Sequence, residues 1–206
     1  SDALRFLTHE RVNYPHQASF LYQAQAEILM MMNNKKAALR LLDEAIKNIP
    51  DDPELIYAEV LLLDAHVDKE KLDKLLQNVL EIEPNNPAYL NAYAYTLALQ
   101  NRNLKEARQI AEHAADLAPE QASILDTLGY ITYLQNDFSA AAKALKKAYE
   151  LSTSVKIGVR YAMSLYMQGK MQQFEMVLQE LQTNHRNDPQ LEPLNSLLLP
   201  QQIKKS

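Results

Sequence analysis

The clearest pattern of apolar positions lies in residues 125–151, where the spacing predicts two helices. The first helix has large or small apolar residues three and four positions apart, at Leu125, Leu128 and Gly129. The second has them at Ala141, Leu145 and Ala148. Because Gly129 and Ala141 have almost no side chain, two antiparallel helices can touch there while the leucines fill the space around them. A larger residue at position 129 should therefore push the helices apart.

The same pattern recurs upstream at a nearly constant interval. Equivalent positions along the chain are Ala3, Ala38, Leu72, Ala107 and Ala141, and the intervals between successive members are 35, 34, 35 and 34 residues. The prolines that close these segments are separated by 35, 34 and 35 positions, namely Pro15, Pro50, Pro84 and Pro119. Proline ends one helix and suits the first turn of the next. The interval predicts an array of similar helix pairs.

This interval and this alternation of small and large residues resemble the tetratricopeptide repeat (TPR). The resemblance implies an all-α fold, a superhelical solenoid of antiparallel helix pairs whose first helices line the concave face. We predict one solenoid fragment over residues 1–206, with an orphan second helix at 2–15, units at 19–50, 53–84, 87–119, 122–153 and 155–187, and a C-terminal cap at 190–199. Since the chain begins with a second helix, we expect a piece of a longer array. We expect residues 200–206 to be frayed.

The unit at 53–84 departs from the pattern more than the others. Glu59 and Val60 stand where the unit at 122–153 has Leu128 and Gly129, and Leu72 stands where a small residue is expected. We therefore expect looser or altered packing in this unit.

Composition mainly excludes classes of function. The absence of cysteine excludes disulfides and thiolate chemistry in this chain, and the net charge of −5 with no basic stripe disfavours a nucleic-acid partner. No apolar run approaches the roughly 18 residues of a membrane span. We therefore predict no transmembrane segment.

The residues that usually support catalysis are dispersed. The histidines stand far apart without the spacing of a helical metal pair, at His9, His16, His66, His113 and His185. The three glycines, Gly129, Gly158 and Gly169, are too scattered for a phosphate loop or a dinucleotide fingerprint. We predict no catalytic, cofactor-binding or metal site, and hence no enzyme in this chain.

A binding surface is the remaining hypothesis. By resemblance to TPR units, the positions that line the concave groove are Gln23, Glu27, Met30, Tyr57, Leu61, Asp64, Asn91, Tyr95, Ala98, Asp126, Tyr130, Tyr133, Lys156, Arg160, Met163 and Tyr166. Tyrosine combines a broad apolar face with one hydroxyl group, which suits a peptide partner. We favour binding for Tyr95 and Tyr130, whereas Tyr133 and Tyr166 suit packing between units equally well. The run Met30 to Met32 suits helix-end packing better than an adaptable contact patch.

Lys156 and Arg160 resemble the basic pair with which chaperone-binding TPR domains hold a terminal carboxylate. The lysine and two asparagines that complete that clamp are missing, because Asn91, Tyr95 and Thr127 stand in their place. Asp126 would also repel a carboxylate.

Residues 90–151 resemble the C-terminal units of large TPR lipoproteins of Gram-negative bacteria. The resemblance rests on the AYAYTLA helix and on the Asp-x-Leu-Gly-aromatic helix formed by Asp126, Leu128, Gly129 and Tyr130. It implies a location on the periplasmic side of the outer membrane and an adaptor that joins a carboxyl-terminal processing protease to cell-wall hydrolases.

These observations leave three hypotheses for function. The first is a non-catalytic scaffold that binds a protein or peptide on its concave face, as a periplasmic adaptor. The second is a cytoplasmic peptide-binding co-chaperone or assembly factor, and the third is the helical appendage of an enzyme whose catalytic domain lies elsewhere. Exposed repeat ends would also favour self-association.

Overall fold

The chain is built from helices joined by short turns. The structure, a computed structural model, describes the backbone of residues 2–202 and the side chains of residues 2–197. Within this range it contains two 3-10 helices, Pro15–Gln17 and Pro189–Leu191, and no strand. Its twelve α-helices are α1 Asp2–Asn13, α2 Ala18–Met31, α3 Lys35–Asn48, α4 Pro53–Val60, α5 Lys69–Ile82, α6 Pro87–Leu99, α7 Leu104–Leu117, α8 Ala122–Leu134, α9 Phe138–Leu151, α10 Val155–Met167, α11 Met171–Asn184 and α12 Glu192–Gln202. The predicted all-α class is confirmed.

The helices fall into two compact units, Ser1–Tyr89 (unit 1) and Leu90–Ser206 (unit 2), and the boundary lies within α6. In unit 1, α1 precedes the pairs α2/α3 and α4/α5. Unit 2 contains most of α6, then α7, the pairs α8/α9 and α10/α11, and α12. The single solenoid over residues 1–206 stays a prediction.

Four helix pairs share one kind of turn. One residue shortly after the first helix of each pair adopts a left-handed backbone conformation, with φ between 48° and 72°, at Asn33, Asn101, Asn136 and Gly169. Asparagine and glycine tolerate this conformation better than other residues. The next amide hydrogen-bonds back across the turn, as Asp137 does to the carbonyl of Thr132 at 2.9 Å. These turns reverse the chain within three or four residues and hold each pair together.

The helix pairs touch where the repeat places its small residues. Ala38, Ala107 and Ala141 are fully buried, and so is Leu145. A methyl group added at Gly129 would collide with the Cγ atom of Leu145 and would lie 2.9 Å from its Cδ2 atom. The close approach inferred from the sequence is therefore present between α8 and α9.

The pair α4/α5 differs from the others, as the sequence indicated. Helix α4 has 8 residues, whereas α2, α6, α8 and α10 have 13 or 14. Glu59 is only 1% exposed, and its carboxylate forms an ion pair with Lys71, which also donates to Asp43 Oδ1 at 2.8 Å. Burial raises the pKa of Glu59, and the contacts with Lys71 offset this only in part. The altered packing expected for the repeat at 53–84 is confirmed.

The C-terminal segment covers the last helix pair. Leu191 and Leu194 are buried in one cluster with Phe174, Leu178 and Leu181 of α11. Leu198 and Leu199, within the predicted cap, lie outside the described side chains. Helix α12 continues to Gln202, so the backbone of residues 200–202 is helical, and residues 203–206 lie outside the described residues.

Replacing Gly129 with alanine should destabilise the fold by about 1–3 kcal/mol, because the added methyl group overpacks a core in which Leu145 is fully buried. Alanine is the better helix former by about 1 kcal/mol, so a stabilised variant would contradict the close approach. Urea unfolding followed by far-ultraviolet circular dichroism measures the effect. In the double variant Gly129→Ala, Leu145→Ala, the loss should be smaller than the sum of the two single losses.

Replacing Lys71 with methionine should destabilise unit 1 by roughly 3 kcal/mol, because the carboxylate of Glu59 would stay buried without its cation. The double variant Glu59→Leu, Lys71→Met should recover stability to within about 1 kcal/mol of the natural chain. Leucine suits position 59, since Leu128 occupies the equivalent place in the repeat at 122–153. Urea unfolding measures both changes, and a double variant as unstable as Lys71→Met would refute this account of the pair.

Candidate protein-binding surfaces

Helices α6, α8 and α10 of unit 2 bring five of the predicted binding residues together, and we name them the tyrosine–basic cluster. Its members are Tyr95, Asp126, Tyr130, Lys156 and Arg160. Asp126 and Tyr130 lie one turn apart on α8, and Lys156 and Arg160 lie one turn apart on α10. Residues four positions apart share a helix face, so each helix presents two groups to the same area.

Arg160 lies at the centre of the tyrosine–basic cluster. Its Nη1 atom donates to Asp126 Oδ2 at 2.6 Å, and its guanidinium carbon lies 4.1 Å from the ring centre of Tyr130. The two side chains of this ion pair are only 17% and 11% exposed. Burial lowers the pKa of Arg160, but the charge of Asp126 and the hydrogen bond to it raise the pKa above its ordinary value. Arg160 is therefore a fixed, permanently charged group.

Lys156, which is exposed, contacts the half-buried Tyr95 at the edge of the cluster. Lys156 Nζ donates to the Tyr95 hydroxyl oxygen at 3.2 Å, and Arg160 Nη2 lies 3.5 Å from the same atom. The rings of Tyr95 and Tyr130 are 6.1 Å apart. Burial raises the pKa of Tyr95, yet the hydrogen bonds from Lys156 and Arg160 outweigh it, and the pKa is lowered. The hydroxyl group thus lies between two cations.

Two buried oxygen atoms at predicted binding positions accept no hydrogen bond from the described residues. They are Asn91 Oδ1 on α6 and Asp126 Oδ1 on α8. An unsatisfied buried acceptor costs about 1–3 kcal/mol. Both atoms are shielded from solvent, so this cost is carried by the fold itself.

Tyr133 and Tyr166 are not brought into the cluster. The ring of Tyr133 packs edge-on against Phe138 at 5.3 Å, and that of Tyr166 packs edge-on against Phe174 at 5.4 Å. Both tyrosines are half-buried against core residues, and burial raises the pKa of Tyr133. The structure therefore favours the packing alternative for these two side chains.

Of two other predicted groove positions, Ala98 is buried in the core and Asp64 lies beyond the end of its helix. Ala98 is buried in one core cluster with Ala107 and Ala111, because it lies in the last turn of α6, where the following turn leads α7 back against it. Asp64 lies after the end of α4 and accepts hydrogen bonds from the amides of His66 and Val67 at 2.8 and 3.1 Å. These bonds lower its pKa. Asp64 thus stabilises a turn.

Unit 1 has a cleft of about 600 Å³ between α2, α3 and α4, which we name the unit 1 cleft. It contains five of the predicted groove residues, Gln23, Glu27, Met30, Tyr57 and Leu61. Tyr57 forms part of its wall, and the ring of Tyr57 packs against that of Tyr89 at 4.8 Å. Burial raises the pKa of Tyr57, which stays a neutral hydroxyl.

Two residues that line the unit 1 cleft, Glu54 and Met31, were not predicted from the sequence as binding residues. Glu54 was not singled out, because an acidic residue in the first turn of a helix is common for electrostatic reasons. Met31 was interpreted as helix-end packing, yet it is 87% exposed and lines the cleft. The methionine run itself was the signal that could have indicated a contact surface.

Within residues 2–202, no group of three or more acidic or histidine side chains is placed to hold a metal ion. None of the described helices has the length and apolar character needed to cross a bilayer.

Known proteins resemble the chain both in sequence and in fold. No protein-family model matches it. A TPR repeat-containing protein of Pseudomonas aeruginosa is 32% identical over 149 residues, which cover 72% of this chain and 25% of that protein. The chain thus spans about a quarter of the length of the curated relative it matches.

Solved structures resemble the chain in fold. A thermophilic TPR protein of Thermus thermophilus superimposes with a TM-score of 0.70 and 18% identity, covering 88% of this chain and 98% of that chain. The chain has the TPR fold. YrrB, described as a TPR protein with an unusual peptide-binding site, superimposes with a TM-score of 0.65 and 11% identity, covering 92% of this chain and 97% of that chain.

The TPR solenoid class predicted from the repeat interval is therefore confirmed. The finer resemblance to Gram-negative lipoproteins stays a prediction, and so does binding at each residue of the two surfaces.

In an alkaline titration of the TPR chain, Tyr95 should ionise before ordinary tyrosines, whereas Tyr149, whose pKa is raised to about 12 by burial and by Glu180, should ionise late. Tyr95→Phe should remove absorbance from the early part of the tyrosinate curve, and Tyr149→Phe from the late part. Because the Tyr95 pKa is lowered by folding, its ionisation stabilises the fold above the ordinary value of about 10, and this contribution disappears as the pH falls through the lowered pKa.

Lys156→Met should shift the Tyr95 step to higher pH, because it removes a hydrogen bond that favours the phenolate. Lys146→Met, at an exposed position of α9, is the matched control and should leave that step unchanged. An unchanged step in Lys156→Met would show that the two side chains do not interact in solution.

Proposed function

We propose that this chain is a non-catalytic scaffold that binds a protein or peptide partner on the exposed faces of its first helices. The observation that carries the proposal is the tyrosine–basic cluster. There, two half-buried aromatic rings and two cations from three helices meet, and one of the cations, Lys156, is exposed. Tyrosine and arginine are among the residue types that contribute most to binding energy at protein interfaces.

The cluster is organised before any partner arrives. Asp126 and the ring of Tyr130 fix the Arg160 guanidinium, so little side-chain entropy is lost when a partner contacts it. Asp126 also offsets the charge of Arg160, which leaves Lys156 as the exposed cation. Such a surface suits a polypeptide carbonyl or aromatic group better than a strong anion. This preference agrees with the sequence, in which the lysine and two asparagines of a terminal-carboxylate clamp are missing.

A solved structure of similar fold supports a polypeptide ligand. YrrB is described as a TPR protein with an unusual peptide-binding site, and its fold resembles that of this chain.

For the cellular role, we propose a periplasmic adaptor that acts at the outer membrane and joins a carboxyl-terminal processing protease to a cell-wall hydrolase. Two observations support it: the tyrosine-bearing motifs of residues 90–151 resemble those of Gram-negative TPR lipoproteins, and the curated relative comes from the Gram-negative bacterium Pseudomonas aeruginosa.

The test is an affinity capture from a solubilised envelope fraction of a Gram-negative bacterium, with the chain immobilised and bound proteins identified by mass spectrometry. We expect a carboxyl-terminal processing protease or a cell-wall hydrolase to be retained. The variant Tyr95→Ala, Tyr130→Ala should lose at least about nine-tenths of it, since two interface tyrosines together contribute more than about 2 kcal/mol.

Tyr14→Ala is the matched control, because Tyr14 is an exposed tyrosine of unit 1 outside both surfaces. It should retain the partner fully, and circular dichroism should show that all variants stay helical. Equal retention by the double variant would place the site elsewhere. Retention only of cytoplasmic chaperones from a whole-cell extract would contradict the periplasmic role.

A further inference from the structure

The unit 1 cleft lies beside the end of a short first helix. Helix α4 ends at Val60 after 8 residues, and the chain then turns. The residues around this end form an open apolar surface, with Leu61 65% exposed and Met31 87% exposed, while Leu42 of α3 forms part of the lining. Soluble proteins rarely leave a contiguous apolar patch exposed, and such a patch usually marks a site where a partner binds.

The charge of the unit 1 cleft has one sign. Glu27 and Glu54 line it, whereas none of its described lining residues is basic. Glu27 is exposed, and Glu54 accepts one hydrogen bond from Gln23 Nε2 at 3.2 Å, which leaves its second carboxylate oxygen available for a ligand. An apolar floor with acidic side chains is complementary to an apolar segment that carries cations.

The shape and lining of the cleft distinguish between modes of peptide binding. No strand exists within residues 2–202, so a partner cannot add a strand to a sheet edge there. Proline-rich segments bind between several aromatic rings, whereas Tyr57 is the one aromatic residue among the described residues that line this cleft. Leucine and methionine linings accept the apolar face of a helix, because methionine adapts to different side chains.

We propose that the unit 1 cleft binds an amphipathic helix of a partner protein in which lysine or arginine residues flank the apolar stripe. The volume of about 600 Å³ lies within the range of about 300–1,000 Å³ of clefts that enclose compact ligands. This site is independent of the tyrosine–basic cluster, whose residues all belong to unit 2.

The probe is the fluorescein-labelled amphipathic peptide LKKLLKLLKKLLKL, with the peptide LEELLELLEELLEL as its acidic counterpart. Fluorescence anisotropy with the full chain measures binding. We expect the lysine peptide to bind at least about tenfold more tightly than the glutamate peptide. Failure of the lysine peptide to bind below about 1 mM, or equal binding of both peptides, would overturn the proposal.

Matched variants locate the binding. Glu27→Lys should weaken the lysine peptide about tenfold, whereas Glu81→Lys, an equal charge change at an exposed position of α5, should change it less than about twofold. Leu61→Gln should also weaken it about tenfold, whereas Val67→Gln, at another exposed apolar position, should not. Equal effects of Glu27→Lys and Glu81→Lys would mean that the peptide responds only to net charge, which would overturn the proposed site.

The variant Tyr95→Ala, Tyr130→Ala separates the two proposals. It should bind the lysine peptide like the natural chain even though it loses the envelope partner. Loss of peptide binding in this variant would overturn the assignment to the unit 1 cleft and leave the tyrosine–basic cluster as the peptide site.

Discussion

The close approach of paired helices at their small residues is the constraint on which the rest of the structure depends. Ala38, Ala107 and Ala141 are fully buried where the second helices touch the first, and Gly129 leaves just enough room for Leu145. Because these contacts use one side of each helix, the opposite side of a first helix is free to carry residues that the fold does not need. The residues of α6, α8 and α10 that we propose for binding belong to first helices, so the proposal assigns stability and function to different sides of a repeat.

The pair α4/α5 shows the effect of relaxing this constraint. A carboxylate replaces the apolar residue at Glu59, and the fold keeps it only by supplying Lys71 as its ion-pair partner. The first helix ends early, the turn lacks the left-handed residue of the other pairs, and apolar side chains beside the end stay exposed. The ion pair and the unit 1 cleft both involve residues of α4, the helix that departs most from the repeat.

The sequence predicted the helices well because the repeat supplies the same information several times. It also placed Tyr95, Tyr130, Lys156 and Arg160 among the groove positions, and the structure brings the four side chains together because equivalent places in successive repeats lie on neighbouring helices. It did not predict that α4 ends at Val60, since apolar residues continue at Leu61, Leu62 and Leu63. The orientations of Tyr133 and Tyr166 depend on the rings of Phe138 and Phe174, which are contacts that spacing alone cannot reveal.

The central claim is that partners bind to the first helices and that the second helices serve the core. Photo-cross-linking in living cells tests it most directly, with a benzophenone amino acid placed singly at Lys156 of α10, at Leu61 beside α4, and at Lys146 of α9, which is 61% exposed. The account predicts discrete adducts with partner proteins from the first two positions and none from Lys146. Adducts from Lys146, with none from Lys156 and Leu61, would show that partners bind the second helices and would contradict it.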